Sequence, residues 1–259
     1  MIRITKTKFK DLKLIVSDFD ETVTVGDTIK YVAESAYLAK PQYKPTFDHF
    51  TQTYMKAYSE YTKDFGSRDS LVKEREFQTN LKKIEMISIN EITSKGLFKD
   101  IPVDIFGKQA NKVRLKPGFT DFLALAIDKK IPIKILSINW LKVFIEAVLT
   151  LNGFNPTEHN IEILVNDLVS VNGITTGDFD PTISIRTGLD KLDHIKKLNH
   201  LYNNQIMYIG DSSTDLLALL EVKYGIIIEG GSILNLLQKL NIKNDNLHIA
   251  SWNLLAQKI

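Results

Sequence analysis

The chain has 259 residues, 44% of them hydrophobic and 25% charged, with 33 Lys plus Arg against 31 Asp plus Glu. This is ordinary globular composition, and the near-neutral balance carries no footprint for nucleic acid or a membrane surface. The absence of cysteine excludes disulfides, thiolate metal sites and cysteine nucleophiles.

The N-terminus is basic at Arg3, Lys6, Lys8, Lys10 and Lys13, but no long apolar run follows. A secretory signal is therefore not expected. No stretch approaches the roughly 18 apolar residues of a membrane span. The expectation is a cytoplasmic monomer or homodimer with no membrane or nucleic-acid partner.

Leu14 to Val16 reads as a short buried parallel strand. It runs into Asp18-Phe19-Asp20-Glu21-Thr22. Two carboxylates two residues apart repel unless a cation lies between them or one holds a proton. Gly26-Asp27 then marks a bend, with Thr28 placed to cap a helix.

From there to about residue 112 the spacing is helical, at Ile29 to Ala39, Phe47 to Lys63, Ser70 to Glu91 and Ile105 to Val113, with no strand expected. Tyr31, Tyr37, Tyr43, Phe47, Phe50, Tyr54, Tyr58, Tyr61 and Phe65 crowd this region. Most read as the core of a helical bundle, with Tyr31 or Tyr54 as candidates to line a pocket.

Strand and helix then alternate. Phe119 to Lys130 reads as a helix, Pro132 to Leu136 as a strand, and Leu141 to Leu151 as a helix stopped by Asn152-Gly153. Ile161 to Val165 is a strand, and Asn172-Gly173 signals a hairpin. Leu189 to Leu201 is a helix, Gln205 to Ile209 a strand, and about Thr214 to Val222 a helix. Gly225 to Ile228, Ile233 to Leu240 and Leu247 to Ala250 complete the pattern as strand, helix and strand. Such alternation predicts a parallel sheet covered on both faces. Residues 1–22 and 115–259 form this α/β core, and 23–114 form an inserted α-helical cap.

Three predicted strands end in polar clusters: Asp18/Asp20, Ser137 and Asp211/Asp215. Ligands of open parallel sheets bind at the carboxyl ends of strands. Converging carboxylates call for a divalent cation, and an all-oxygen donor set favours Mg²⁺. Helix N-termini after Ser137 and after Asp211 would add backbone donors for a phosphate, with Ser213 or Thr214 as helix cap.

In this order the motifs resemble those of the haloacid dehalogenase-like phosphatases, across nearly the whole chain. D-x-D-x-T is Asp18 to Thr22, the strand ending in Ser is Ile135-Leu136-Ser137, the motif lysine is Lys191, and G-D-x-x-x-D is Gly210 to Asp215. The resemblance implies a Rossmann-like core with a helical cap of the phosphoserine-phosphatase-like branch. It also implies a Mg²⁺-dependent phosphatase for a small organic phosphomonoester, acting through an aspartyl-phosphate.

By the same resemblance, Asp18 is the nucleophile and a metal ligand. Asp20 is the general acid/base, its backbone carbonyl also on the metal. Ser137 and Lys191 hold the phosphate, Asp211 binds the metal, and Asp215 supports it through water or Lys191. Lys191 is preferred over Lys196 and Lys197 because it lies at the helix start. Asn139, where many relatives carry glycine, Asp27 and Thr22 are candidate substrate contacts. The alternatives are a phosphotransferase or phosphomutase on the same fold, or a non-catalytic binding module. A dehalogenase lacks the second aspartate, so Asp20 argues against it.

Overall fold

The structure is a computed structural model describing residues 2–3, 9 and 11–259; Lys6, Lys8 and Lys10 of the basic N-terminus lie outside them. Its core is a seven-stranded, wholly parallel sheet. The strands are β1 (Ile2–Arg3), β2 (Leu14–Ser17), β4 (Ile133–Leu136), β5 (Ile161–Leu164), β8 (Ile206–Gly210), β9 (Tyr224–Ile228) and β10 (Leu247–Ala250). Their order across the sheet is β1-β10-β9-β8-β2-β4-β5.

The apolar runs buried this sheet as the sequence implied. Every residue of β2 is buried, and successive side chains point to opposite faces. Leu14 and Val16 join one apolar cluster, while Ile15 joins the other. In β8, Ile206 and Tyr208 face the first cluster, and Met207 and Ile209 face the second. Two apolar faces require cover on both sides. Helices α5 (Phe119–Asp128), α6 (Lys142–Leu151), α7 (Gly188–Leu201), α8 (Leu216–Glu221), α9 (Ile233–Lys239) and α10 (Trp252–Ala256) follow the core strands. The sequence reading missed β1 and α10. Trp252 of α10 is fully buried, edge-on to Phe119, and its Nε1 donates to the Thr22 carbonyl (3.0 Å).

The inserted region supplies α1 (Ile29–Ala39), α2 (Phe47–Phe65), α3 (Leu71–Ser94) and α4 (Val103–Lys108), followed by a short 3₁₀ turn at Gln109–Lys112. The expected helix over Ile105 to Val113 is thus two shorter pieces. The expectation of no strand here is corrected by β3 (Lys99–Pro102). It pairs antiparallel with β7 (Ile174–Phe179), which pairs with β6 (Leu168–Val171) in a separate three-stranded sheet. Its partner lies far along the chain, so local periodicity carried no signal for it. Asn172 and Gly173 turn the β6–β7 hairpin with positive φ at both positions, as the dipeptide indicated.

α2 and α3 form an antiparallel pair whose seam is aromatic. Tyr61 stacks on Phe77 with centroids 4.7 Å apart, and Tyr58 and Phe65 meet the same ring edge-on. By contrast α1 packs on α4, and α4 on α6, within the large apolar cluster under the sheet. The two connections into the insertion run side by side. Val25 N–H donates to the Arg114 carbonyl (2.9 Å), and Lys116 N–H donates to that of Val23 (2.8 Å).

Candidate active site

β8, β2 and β4 are neighbours, so their carboxyl ends place Asp211, Asp18 and Ser137 side by side. Asp18 N–H donates to the Ile209 carbonyl (2.9 Å), which ties the end of β2 to β8. All three residues line a cavity of about 420 Å³, together with Asp20, Asp27, Asn139 and Lys191. Its remaining wall comes from α2 and α3, through Phe47, Phe50, Tyr54, Glu85 and Ile89, and from Trp140 and Arg186.

Lys191 is 1% exposed. Its Nζ lies 2.8 Å from Asp18 Oδ1 and 2.8 Å from Asp215 Oδ1. Burial pulls the ammonium toward neutrality, but the two carboxylates outweigh it and hold its pKa above the usual range. Lys196 and Lys197 are exposed, as the choice of Lys191 required. Thr187 and Asp190 form a capping box that starts α7 and fixes where Lys191 enters. Gly188 is needed for this approach, because a Cβ there would sit 2.5 Å from the Thr214 carbonyl.

Asp215 is surrounded by donors. Oδ1 accepts from Lys191 Nζ (2.8 Å) and the Tyr208 hydroxyl (2.6 Å), and Oδ2 accepts from the N–H groups of Asp211 (3.1 Å) and Ser212 (3.0 Å). Burial would raise its pKa, but the Lys191 charge and these bonds outweigh that and lower it. The cap of this turn is Ser212, not Ser213 or Thr214, and a 3₁₀ turn at Ser213–Asp215 precedes α8. A Cβ at Gly210 would fall 2.5 Å from Asp215 Cγ, so only glycine lets the carboxylate fold back here.

Asp18 is buried, and burial with the charge of Asp215 raises its pKa against the pull of Lys191. Burial likewise raises Asp211 to about 6, reinforced by Asp215 and opposed by the hydrogen bond from Thr22 Oγ1 (2.9 Å). Asp18, Asp211 and Asp215 each present an oxygen within 4.8 Å of the others. Three carboxylates against one ammonium leave negative charge uncompensated, and the all-oxygen set suits Mg²⁺. Asp215 already spends both oxygens on donors, so Asp18 and Asp211 are the carboxylates open to direct ligation.

Burial also raises Asp20, to about 6, against the lowering effect of hydrogen bonds from Thr28 and Asn139. Thr28 donates to Oδ1 through both its N–H (2.8 Å) and its hydroxyl, and Asn139 Nδ2 donates to Oδ2 (2.9 Å).

Each of the three candidate substrate contacts has a partner within the protein. The Asn139 amide is directed at Asp20 and Thr28, and its Oδ1 accepts from Trp140 N–H (2.7 Å). Thr22 is fully buried and outside the cavity lining, bonded to Asp211. Asp27 lines the cavity and its Oδ1 accepts from Ile29 N–H (2.8 Å); Thr28 stands at the N-cap of α1, as expected, but its hydroxyl serves Asp20 and not a helix amide. Four of the adjoining turn amides are already paired within the protein. Those of Asn139 and Trp140 bond side chains of their own loop, and those of Asp211 and Ser212 bond Asp215. Tyr54 lines the cavity, but Tyr31 lines a separate one of about 260 Å³ beside the linkers.

The sequence reading missed Glu85, Arg186 and Asn166. Asn166 follows β5 and clamps two loops. Its Nδ2 donates to the carbonyls of Asn139 (2.8 Å) and Ile185 (2.7 Å), and its Oδ1 accepts from Ile185 N–H (2.9 Å). Its place just past a strand end was the one available signal.

The sequence profile of the haloacid dehalogenase-like hydrolase family matches residues 15–220. Cold tolerance protein 1 of Saccharomyces cerevisiae is 32% identical over 243 residues, covering 80% of this chain and 75% of its own. The mitochondrial bifunctional TH2 protein of Arabidopsis thaliana is 22% identical over 267 residues, covering 90% of this chain but 42% of its own. Among solved structures, a substrate-bound phosphoserine phosphatase superposes with a TM-score of 0.53 at 16% identity, covering 96% of each chain. A haloacid dehalogenase family hydrolase from Salmonella enterica subsp. enterica serovar Typhi reaches 0.63 at 15% identity, over 95% of this chain and 70% of the other.

Proposed function

Because the chain belongs to the haloacid dehalogenase-like hydrolases, we propose that it is a Mg²⁺-dependent phosphatase that hydrolyses a small organic phosphomonoester through an aspartyl-phosphate. The observation that carries this reading is the convergence of Asp18, Asp20 and Lys191 on one cavity at the end of β2. The fold shared with phosphoserine phosphatase supports it.

In this reading an Asp18 oxygen attacks phosphorus as the bond to the leaving oxygen breaks, and Asp20 gives its proton to that oxygen. Thr28 and Asn139 keep Asp20 aimed at the leaving group. Asp20, now ionised, takes a proton from the water that attacks the phosphoenzyme, and Asp18 is released with inorganic phosphate. Lys191 and Ser137 offset charge on the phosphoryl oxygens. Asp18 and Asp211 would hold Mg²⁺, which would supply further charge neutralisation. The α2–α3 pair works as the cap, covering the cavity so that the leaving group is shielded from bulk water.

The test is a screen of phosphomonoesters with Mg²⁺, reading phosphate release from the wild type and from Asp18→Asn, with the reaction run in ¹⁸O-water. Label should enter the released phosphate, and the variant should be inactive. Turnover by Asp18→Asn would overturn the nucleophile assignment. Transfer of phosphate only to an added alcohol would favour a phosphotransferase.

A further inference from the structure

Arg186 is a buried cation that the hydrolytic mechanism does not use. It lies between Ile185 and Thr187, the residue that caps α7, and is 5% exposed. Its backbone N–H donates to Asp190 Oδ2 (2.8 Å), so the start of α7 fixes the main chain beneath it. The guanidinium carbon lies 4.5 Å from the centre of the Phe179 ring, a cation–π contact. The side chain forms part of the cavity wall, in the same chamber as Asp18 and Lys191.

Among the described residues, neither Nε nor Nη1 of Arg186 has a hydrogen-bond partner, although both are buried. Such groups are nearly always paired, and an orphaned guanidinium is costly. Two carboxylates attract it, Glu85 and Asp190. Neither closes on those nitrogens. Asp190 is occupied by Lys82 Nζ (2.7 Å) and by the N–H groups of Arg186 and Thr187. Glu85 accepts the Tyr54 hydroxyl (2.8 Å). Burial lowers the pKa of Arg186 only to about 10, so the cation persists at neutral pH.

We propose that Arg186 is the specificity-determining contact for the leaving group, and that the substrate is a phosphomonoester whose leaving group carries a planar oxygen anion of carboxylate type. The inference rests on the phosphatase reading and names the substrate class for that site. A guanidinium presents parallel N–H donors that match the two oxygens of a carboxylate. Lys191 cannot serve this end of the molecule, because Asp18 and Asp215 hold it. Phe47, Phe50 and Trp140 on the cavity wall suit a flat body between the phosphate and the anion.

The test compares 4-carboxyphenyl phosphate with 4-nitrophenyl phosphate, which has a neutral group of nearly the same shape. The measured quantity is the kcat/KM ratio of the two probes. Arg186→Met should lower the ratio in favour of the carboxylate by about tenfold or more, with Arg186→Lys intermediate. Equal losses for both probes would place Arg186 on the phosphoryl group and overturn the inference, and so would an unchanged ratio. Should these variants fail to fold, wild-type protein decides through binding of benzoate against benzamide by calorimetry, where equal affinities overturn the inference. That arm needs no catalysis. Hydrolysis of neither probe beside preferential benzoate binding would count against the phosphatase reading alone.

Discussion

The ammonium of Lys191 stands 2.8 Å from a carboxylate oxygen of Asp18 and 2.8 Å from one of Asp215. One buried cation thus serves two buried anions, one just past the end of β2 and one on the turn after β8. Lys191→Met would leave both carboxylates without their shared partner. Breaking a buried pair in this way costs about 3–5 kcal/mol. Phosphate release should fall by about a hundredfold or more, since the charge facing the phosphoryl group goes with it. Thermal melting and a steady-state phosphate assay check both effects. A variant as stable and as active as the wild type would remove Lys191 from the site.

Thr28 and Asn139 present donors to opposite oxygens of Asp20. Thr28→Val and Asn139→Ala each remove part of that cradle without touching Asp18. In each variant kcat should fall by about tenfold to a hundredfold, within the range attributable to a misplaced acid/base group. KM should change little, because both side chains bond Asp20. A rise in KM with kcat preserved would return Asn139 to the role of substrate contact.

Asp18 and Asp211 are the carboxylates left open to a cation, and Thr22 holds Asp211 by a 2.9 Å hydrogen bond. Chelation should reduce phosphate release to background, and Mg²⁺ should restore it. Asp211→Asn should raise the Mg²⁺ concentration needed for half-maximal activity. Thr22→Val should do so more weakly, because it loosens a ligand without removing one. Calcium should inhibit, as its larger coordination number lets it take both Asp18 oxygens. Activity undiminished by excess chelator would sink the metal assignment.

These features differ in how far the sequence exposed them. Asp18, Ser137 and Asp211 each follow an apolar strand, and neighbouring parallel strands bring such ends together. Lys191 was legible because the helix start lies close to that crevice. β3 was not, because Lys99 to Pro102 contains one buried apolar residue and depends on β7 for its identity. Asn139 was read as a substrate contact because its approach to Asp20 closes only in three dimensions. Arg186 and Glu85 were missed for a related reason. Each is a single charge on an ordinary helix or loop, and what singles them out is burial in a shared cavity wall.

Glu85 offers a test that needs no substrate. Burial pushes its carboxyl from 4.5 to about 7, against the opposing influence of the Tyr54 hydroxyl and the Arg186 charge. Below pH 4.5 the folded and unfolded states both keep the proton. Between 4.5 and 7 the unfolded chain gives it up while the folded protein holds it. The folded state then binds more protons, so its stability falls as pH rises, and above pH 7 the loss is complete. Glu85→Gln retains an acceptor for Tyr54 but has nothing to titrate. Its stability relative to the wild type should therefore increase by about 2–3 kcal/mol between pH 5 and pH 8. Urea unfolding of both proteins at the two pH values measures this difference, and a gap that stays constant would show that Glu85 ionises in the folded protein as it does in water.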